Sequence, residues 1–140
     1  MLHSILVPLD GSEISEQIIP AVAKLASGLK VPVTLVHVVD TTPSSTKLEA
    51  DHRDQLQRIV EEEKGRARDY LLTIRARLRD QGIATSSEVI AGYPAETIVS
   101  YAHTQSVGLI AMSTHGRSGI GRWLVGSVAD RVLRTSSIPV

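Results

Sequence analysis

The feature that most constrains this chain is a regular alternation of short apolar runs with longer segments of helical periodicity. The apolar runs are rich in Val, Ile and Leu, which is typical of strands buried on both faces of a parallel sheet. Four such runs and the start of a fifth occur, at His3–Pro8, Pro32–Val39, Thr85–Ala91, Leu109–Met112 and Ile138–Val140. Helical patterns lie between them, at about 12–28, 51–81, 95–104 and 127–134.

Strands that alternate with helices imply right-handed crossovers. We therefore predict an α/β protein with a single open, parallel five-stranded sheet. The sheet should be doubly wound, with helices on both faces in a Rossmann-like arrangement. The length of 140 residues suits one domain, 1–140. Because aromatic residues make up only 3% and Phe is absent, the core must be built from Val, Ile, Leu and Ala.

Composition excludes several classes of function. The chain has no cysteine, so disulfides, thiolate metal sites and cysteine nucleophiles are ruled out. Fifteen basic and fifteen acidic residues balance, which gives no bulk charge to hold a nucleic acid. No apolar run approaches the ~18 residues of a membrane span, and the N-terminus lacks the pattern of a secretory signal. We expect a cytoplasmic protein that binds neither nucleic acid nor membrane.

Ligands of an open α/β sheet bind beyond the carboxyl ends of its strands. Three segments leave strands there: Pro8-Leu9-Asp10, Val38-Val39-Asp40 and the glycine-rich Ser113–Gly121. The last has the composition of a phosphate cradle, because glycines let backbone N–H groups approach an anion. Ser127 should open a helix whose positive end can face a phosphate. The loop also offers hydroxyl donors and positive charge, at Ser113, Thr114, Arg117, Ser118 and Arg122.

The two common phosphate-binding motifs are absent. No glycine is followed by lysine, so there is no P-loop. Gly119-Ile-Gly121 lacks the third glycine of a dinucleotide-binding fingerprint, and the first strand is not followed by a glycine cluster. A P-loop NTPase and a standard dinucleotide-binding domain are therefore disfavoured.

The chain resembles the universal stress protein family along almost its whole length. The resembling segments are ILVPLDGSE, LVHVVD, AGYPAETIV and STHGRSGIGRWLVGSVADRVLRTSSIPV. Nucleotide-binding members show a glycine, two residues, a glycine, nine residues, then a glycine followed by Ser or Thr. That pattern falls here on Ser113, Gly116, Gly126 and Ser127 with its spacing intact. Ser113 replaces the first glycine, and its side chain either crowds the ribose or phosphate or donates a hydrogen bond.

The resemblance implies a fold like that of the adenine nucleotide alpha hydrolases and a site for ATP, with Mg2+ held through the phosphates rather than by the protein. It implies contacts to adenosine from Pro8, Leu9, Asp10 and Val38, and contacts to the ribose from Met112 and Ser113. It places the phosphates on Gly116, Gly126, Ser127 and Val128, and the glycine loop adds Arg117 and Gly119. It also implies a homodimer through the last strand and regulatory protein partners of unknown identity.

These features predict an ATP-binding regulatory protein of the stress response that acts as a nucleotide-dependent switch or sensor. We do not expect an enzyme, because no carboxylate lies within the glycine loop to activate a water. One alternative is a dimeric interaction module that binds no nucleotide, and a weak ATPase is another. An adenylyl-transferring enzyme is a third, but the usual paired histidines after the first strand are replaced by Asp10–Glu13.

Overall fold

A computed structural model of the chain describes residues 2–43, 53–113 and 125–140. In these residues the strands are β1 (Ile5–Pro8), β2 (Val33–Asp40), β3 (Thr85–Gly92) and β4 (Leu109–Ile110). The helices are α1 (Glu13–Glu16), α2 (Ile19–Leu29), α3 (Arg53–Asp80), α4 (Pro94–Thr104) and α5 (Val125–Thr135). The predicted alternation of strands and helices is confirmed for these elements.

The four strands form one sheet in the order β3-β2-β1-β4, and every pair is parallel. The chain adds β2 and β3 on one side of β1 and then crosses to add β4 on the other. Strand order thus reverses between β1 and β4. This reversal is the topological switch point at which open α/β sheets form ligand clefts.

Two apolar clusters form the core. One contains Ile5, Val7 and Leu9 and packs against α2 and α3. The other contains Leu6 and packs against α4 and α5. The separation follows from the alternation of side chains along β1, which point to opposite faces at successive residues. The β1 side chains of Ile5, Leu6 and Val7, and that of Leu9 one residue beyond the strand, are fully buried, as expected for a central strand of a parallel sheet.

The sheet has four strands in the described residues, and the predicted fifth strand and double winding are not confirmed. Ile138–Val140 does not form a strand, although the Ile110 N–H donates to the Pro139 carbonyl at 2.9 Å. Pro139 has no N–H to return a second hydrogen bond, so a regular ladder cannot start there. The segment therefore lies beside β4 without extending the sheet.

Two helical predictions are also refined. The split expected near Pro20 is present, because α1 ends at Glu16 and α2 begins with Pro20 in its first turn. The apolar stripe of α3 is buried only in its later turns, whereas Leu56 and Ile59 are 38% and 49% exposed. A helix of 28 residues is ~42 Å long, and an eight-residue strand spans only ~26 Å. The first turns of α3 thus overrun the sheet. No described helix is both long and apolar enough to cross a membrane.

Candidate functional site

The candidate site lies where β1 and β4 separate at their carboxyl ends. Leu9 donates its N–H to Val36 of β2, while Leu6 accepts from the N–H of Ala111 beyond β4. Odd residues of β1 therefore bond to β2 and even residues bond toward β4. Pro8 faces β4 in this alternation, and proline has no N–H to donate. The ladder consequently stops at Ile110, earlier than the predicted Met112, and the two chains part there.

Asp10 occupies the start of this opening and is fully buried. Its Oδ1 accepts from the Ser12 N–H at 2.9 Å and from the Ser12 hydroxyl at 2.5 Å. This is an Asx turn, in which the side chain of an aspartate accepts a hydrogen bond from the backbone N–H two residues later, in place of a backbone carbonyl. Gly11 allows the turn, since its φ of +88° is one that side-chain-bearing residues rarely adopt. The carboxylate is thus fixed at the tip of β1.

Ser15 completes the hydrogen bonds of the turn, and Ser113 connects the turn to the chain that leaves β4. The Ser12 hydroxyl accepts from the Ser15 N–H at 3.1 Å, which confirms Ser12 as the predicted helix cap. The Ser15 hydroxyl donates to the Ser12 carbonyl at 2.9 Å and accepts from the Asp10 N–H at 3.3 Å. The Ser113 hydroxyl donates a long hydrogen bond of 3.5 Å to the Ser15 carbonyl. The β1–α1 turn and the chain leaving β4 are therefore in contact.

The β2 side of the site is supplied by buried residues. Val38 is 1% exposed and belongs to the cluster against α4 and α5, so its side chain is part of the core. His37 is also buried, and its Nδ1 lies 2.9 Å from the Leu9 carbonyl. That hydrogen bond holds the end of β1 against β2. At the end of β2, the Asp40 carboxylate accepts from the Thr42 N–H at 2.8 Å.

The remaining predicted ligands fall into three groups. Met112 is half-buried and packs against the cluster that contains Leu6. Gly116, Arg117 and Gly119 lie outside the described residues. Gly126 and Ser127 are exposed in the first turn of α5, and Val128 is half-buried against the core. The helix begins at Val125, two residues before the Ser127 start that the sequence predicted. Ser127 is thus inside the first turn instead of capping it.

The arrangement offers chemistry for holding a polar ligand. A fixed, buried carboxylate on one wall can accept hydrogen bonds, and the positive end of α5 can attract an anion. At Gly126 an added Cβ would meet no described atom within 4 Å. Within the described ranges, no three or more His, Asp or Glu side chains cluster so as to hold a metal ion.

Sequence reasoning missed the residues that connect the site to α3. The Glu16 carboxylate accepts from the Tyr70 hydroxyl at 2.8 Å, and Arg77 lies 3.3 Å from its other oxygen. The Ser15 bonds were missed as well, because the third residue after the cap is a serine and not the Glu or Gln of a capping box. No local signal could pair Glu16 with a tyrosine 54 positions away.

The fold and these contacts define an α/β protein with a candidate ligand site at the switch point of a parallel sheet. The model of the universal stress protein family matches residues 1–140. The chain therefore belongs to the universal stress protein family, as the sequence resemblance predicted.

Curated relatives agree with this assignment. Universal stress protein MJ0531 of Methanocaldococcus jannaschii is 29% identical over 140 residues, which cover all of this chain and 81% of that protein. Universal stress protein YxiE of Bacillus subtilis is 28% identical over an alignment covering all of this chain and 97% of that protein. Among solved structures, one from the same family in Burkholderia pseudomallei is 28% identical with a TM-score of 0.71, covering 98% of this chain and 92% of that one.

The fold is shared with a more distant structure as well. Universal stress protein UspA from Lactobacillus plantarum superposes with a TM-score of 0.84 at 23% identity. The superposition covers 99% of this chain and 94% of that one. Similarity at this level of identity concerns the fold only.

Proposed function

We propose that this protein binds an adenine nucleotide, ATP with Mg2+ in the first place, in the cleft between β1 and β4. We further propose that it acts as a nucleotide-dependent regulatory protein of the stress response and not as an enzyme. The observation that carries the proposal is the fixed, buried Asp10 at the switch point, opposite Ser113 and the start of the glycine pattern.

The described residues fit the proposed ligand. Asp10 would accept hydrogen bonds from the adenosine hydroxyls, as a carboxylate accepts and cannot donate. The backbone of Pro8 and Leu9 and the backbone around Val38 would line the base, and Met112 and Ser113 the ribose. Gly126 and the first turn of α5 would receive the phosphates. When bound, Mg2+ would neutralise phosphate charge, and no protein ligand for it is proposed.

Two solved universal stress proteins of similar fold add support at the level of ligand class. One, with a TM-score of 0.68, is described in complex with cAMP. Another, from Archaeoglobus fulgidus with a TM-score of 0.62, is described in complex with dAMP. Each is 19% identical to this chain, so the proposal depends on the chain's own residues. A cytoplasmic location and a homodimer complete it.

Hydrogen–deuterium exchange with and without Mg-ATP tests where the ligand binds. We expect protection of backbone amides at residues 9–16, 111–113 and 126–128, because these surround the cleft. Amides of residues 81–84 serve as the control, since they precede β3 at the opposite edge of the sheet. Protection confined to other segments, or none at all, would contradict the proposed site.

A second candidate function is favoured by one observation. Ser113 stands at the first glycine of the family pattern, and its hydroxyl already bonds to the Ser15 carbonyl across the cleft. If this contact closes the cleft, the protein is an interaction module that binds no nucleotide. Ser113→Gly separates the two functions. If the contact closes the cleft, the variant should bind Mg-ATP where the wild type does not. If the cleft is open, the affinity for Mg-ATP should change little.

A further inference from the structure

The short helix α1 is held at both of its ends by side-chain hydrogen bonds. Its four residues are too few to form a stable helix alone. At the first end, Ser12 and Ser15 bind it to Asp10 and the tip of β1. At the last end, the carboxylate of Glu16 binds it to α3. The position of the β1–α1 turn therefore depends on both attachments.

The attachment to α3 is specific in its geometry. Glu16 Oε2 accepts from the Tyr70 hydroxyl at 2.8 Å, and Glu16 Oε1 lies 3.3 Å from Arg77 Nη2. Tyr70 and Arg77 are seven residues apart, so they lie two turns apart on one face of α3. The two oxygens of one carboxylate thus contact two turns of the long helix.

The Tyr70 hydroxyl keeps its proton and therefore donates in this contact. Burial raises the pKa of Tyr70 most, followed by its hydrogen bond to Glu16 and the negative charges of Glu16 and Asp10, while Arg77 lowers it. The phenol is therefore protonated at neutral pH. Glu16 directly follows Ser15, whose hydroxyl accepts from the Asp10 N–H, so the anchor is one residue from the turn of the candidate site. Tyr70 itself packs against the core cluster formed by β1, α2 and α3.

We propose that Glu16 and Tyr70, assisted by Arg77, are positioning residues for the nucleotide cleft. They fix α1 against α3, and α1 in turn orients the Asp10–Ser15 turn and the Ser15 carbonyl that meets Ser113. The anchor touches no ligand and acts through Asp10. This inference rests on the proposed function, because it concerns the geometry of that same site.

The chain contains a matched control for this anchor. Tyr101 donates to a Glu88 oxygen at 2.6 Å, and burial followed by that hydrogen bond raises the pKa of Tyr101 to about 12. This second tyrosine–glutamate pair connects α4 to β3, which is two strands away from β1. Tyr70→Phe and Tyr101→Phe therefore remove the same kind of hydrogen bond at different distances from the cleft.

The experiment measures the Kd for Mg-ATP and the urea unfolding midpoint of the full chain and its variants. We expect Tyr70→Phe and Glu16→Ala each to raise the Kd about fivefold or more, typical of coupling between linked sites. The Kd of the double variant should be close to that of the single variant that binds less tightly, because both changes break the same contact. Tyr101→Phe should lower the unfolding midpoint similarly and leave the Kd unchanged.

Two outcomes would overturn the inference in distinguishable ways. If the wild type binds Mg-ATP and Tyr70→Phe changes the Kd no more than Tyr101→Phe, the anchor only stabilises the fold. If the wild type does not bind, the proposed function fails and takes this inference with it. Should Tyr70→Phe not fold, Glu16→Ala carries the comparison, since alanine removes both oxygens of the contact and leaves Tyr70 packed against the core.

Discussion

Asp10 has two roles at the scale of single residues, one in the turn and one proposed in binding. Its carboxylate satisfies both the N–H and the hydroxyl of Ser12 while fully buried. Removal of a buried acceptor leaves its donors unsatisfied, which costs about 1–3 kcal/mol. Folding and binding effects at this residue must therefore be separated by the choice of substitution.

Asp10→Asn should separate them. Asparagine keeps one oxygen to accept from Ser12 but loses the charge and half of the accepting capacity. We expect the free energy of unfolding to fall less than in Asp10→Ala, and affinity for Mg-ATP to fall about tenfold or more. Asp10→Ala should lower both. Chemical denaturation and calorimetry measure the two quantities, and an Asp10→Asn variant with wild-type affinity would remove Asp10 from the site.

Gly126 provides the second residue-scale prediction. Gly126→Val should abolish most ATP binding and affect AMP less, because the branched side chain would occupy the space of the outer phosphates. The fold should tolerate it, since an added Cβ meets no described atom within 4 Å. Gly28→Val is the matched control, as Gly28 is also an exposed helical glycine with no described atom within 4 Å of its Cβ. Unchanged ATP affinity in Gly126→Val would reject the phosphate assignment.

At the scale of elements, the direction of backbone groups along β3 makes a sharp prediction. The Ala84 carbonyl accepts from Val33 and the Gly92 carbonyl accepts from Thr41, so even residues of β3 bond to β2. Odd residues then point away, toward an edge that pairs with no strand in the described residues. Ser86 and Ser87 are neighbours in sequence with opposite backbone roles.

Proline substitution should distinguish these two serines. Ser86→Pro removes a ladder donor to β2 and should cost about 1–3 kcal/mol of stability. Ser87→Pro removes an N–H directed at the open edge and should cost less than about 1 kcal/mol. Urea denaturation compares the two variants directly. Equal costs would mean that the outer edge of β3 is paired in solution.

The elements also show where sequence reasoning succeeds and where it stops. Ser12 as a cap and the split near Pro20 were predictable, because both follow from local backbone chemistry. The early end of β4 was not, although Pro8 was visible in the sequence. Its missing N–H matters only because β4 lies on that side of β1, which depends on strand order. The same holds for Pro139 beside β4.

At the scale of the whole molecule, alternation of strand and helix patterns was enough to predict a parallel α/β sheet, whereas the ligand site at its carboxyl edge stays a prediction. The side-chain contacts around the candidate site could not be predicted from that alternation. Ser113 meets Ser15 across 98 positions and Glu16 meets Tyr70 across 54, and no periodicity pairs residues so far apart. The family pattern supplied Gly126 and Ser127 as candidates, and their ligand roles stay predictions, as do those of Gly116, Arg117 and Gly119.

Calorimetric titration of the nucleotide-stripped protein with Mg-ATP, and with AMP for comparison, tests the central claim most directly. We predict that ATP binds about tenfold or more tightly than AMP, because the outer phosphates gain contacts near the start of α5 that AMP cannot make. Equal affinities would contradict the phosphate site while keeping an adenosine pocket. Absence of binding by either nucleotide would contradict the account and leave the interaction module as the function.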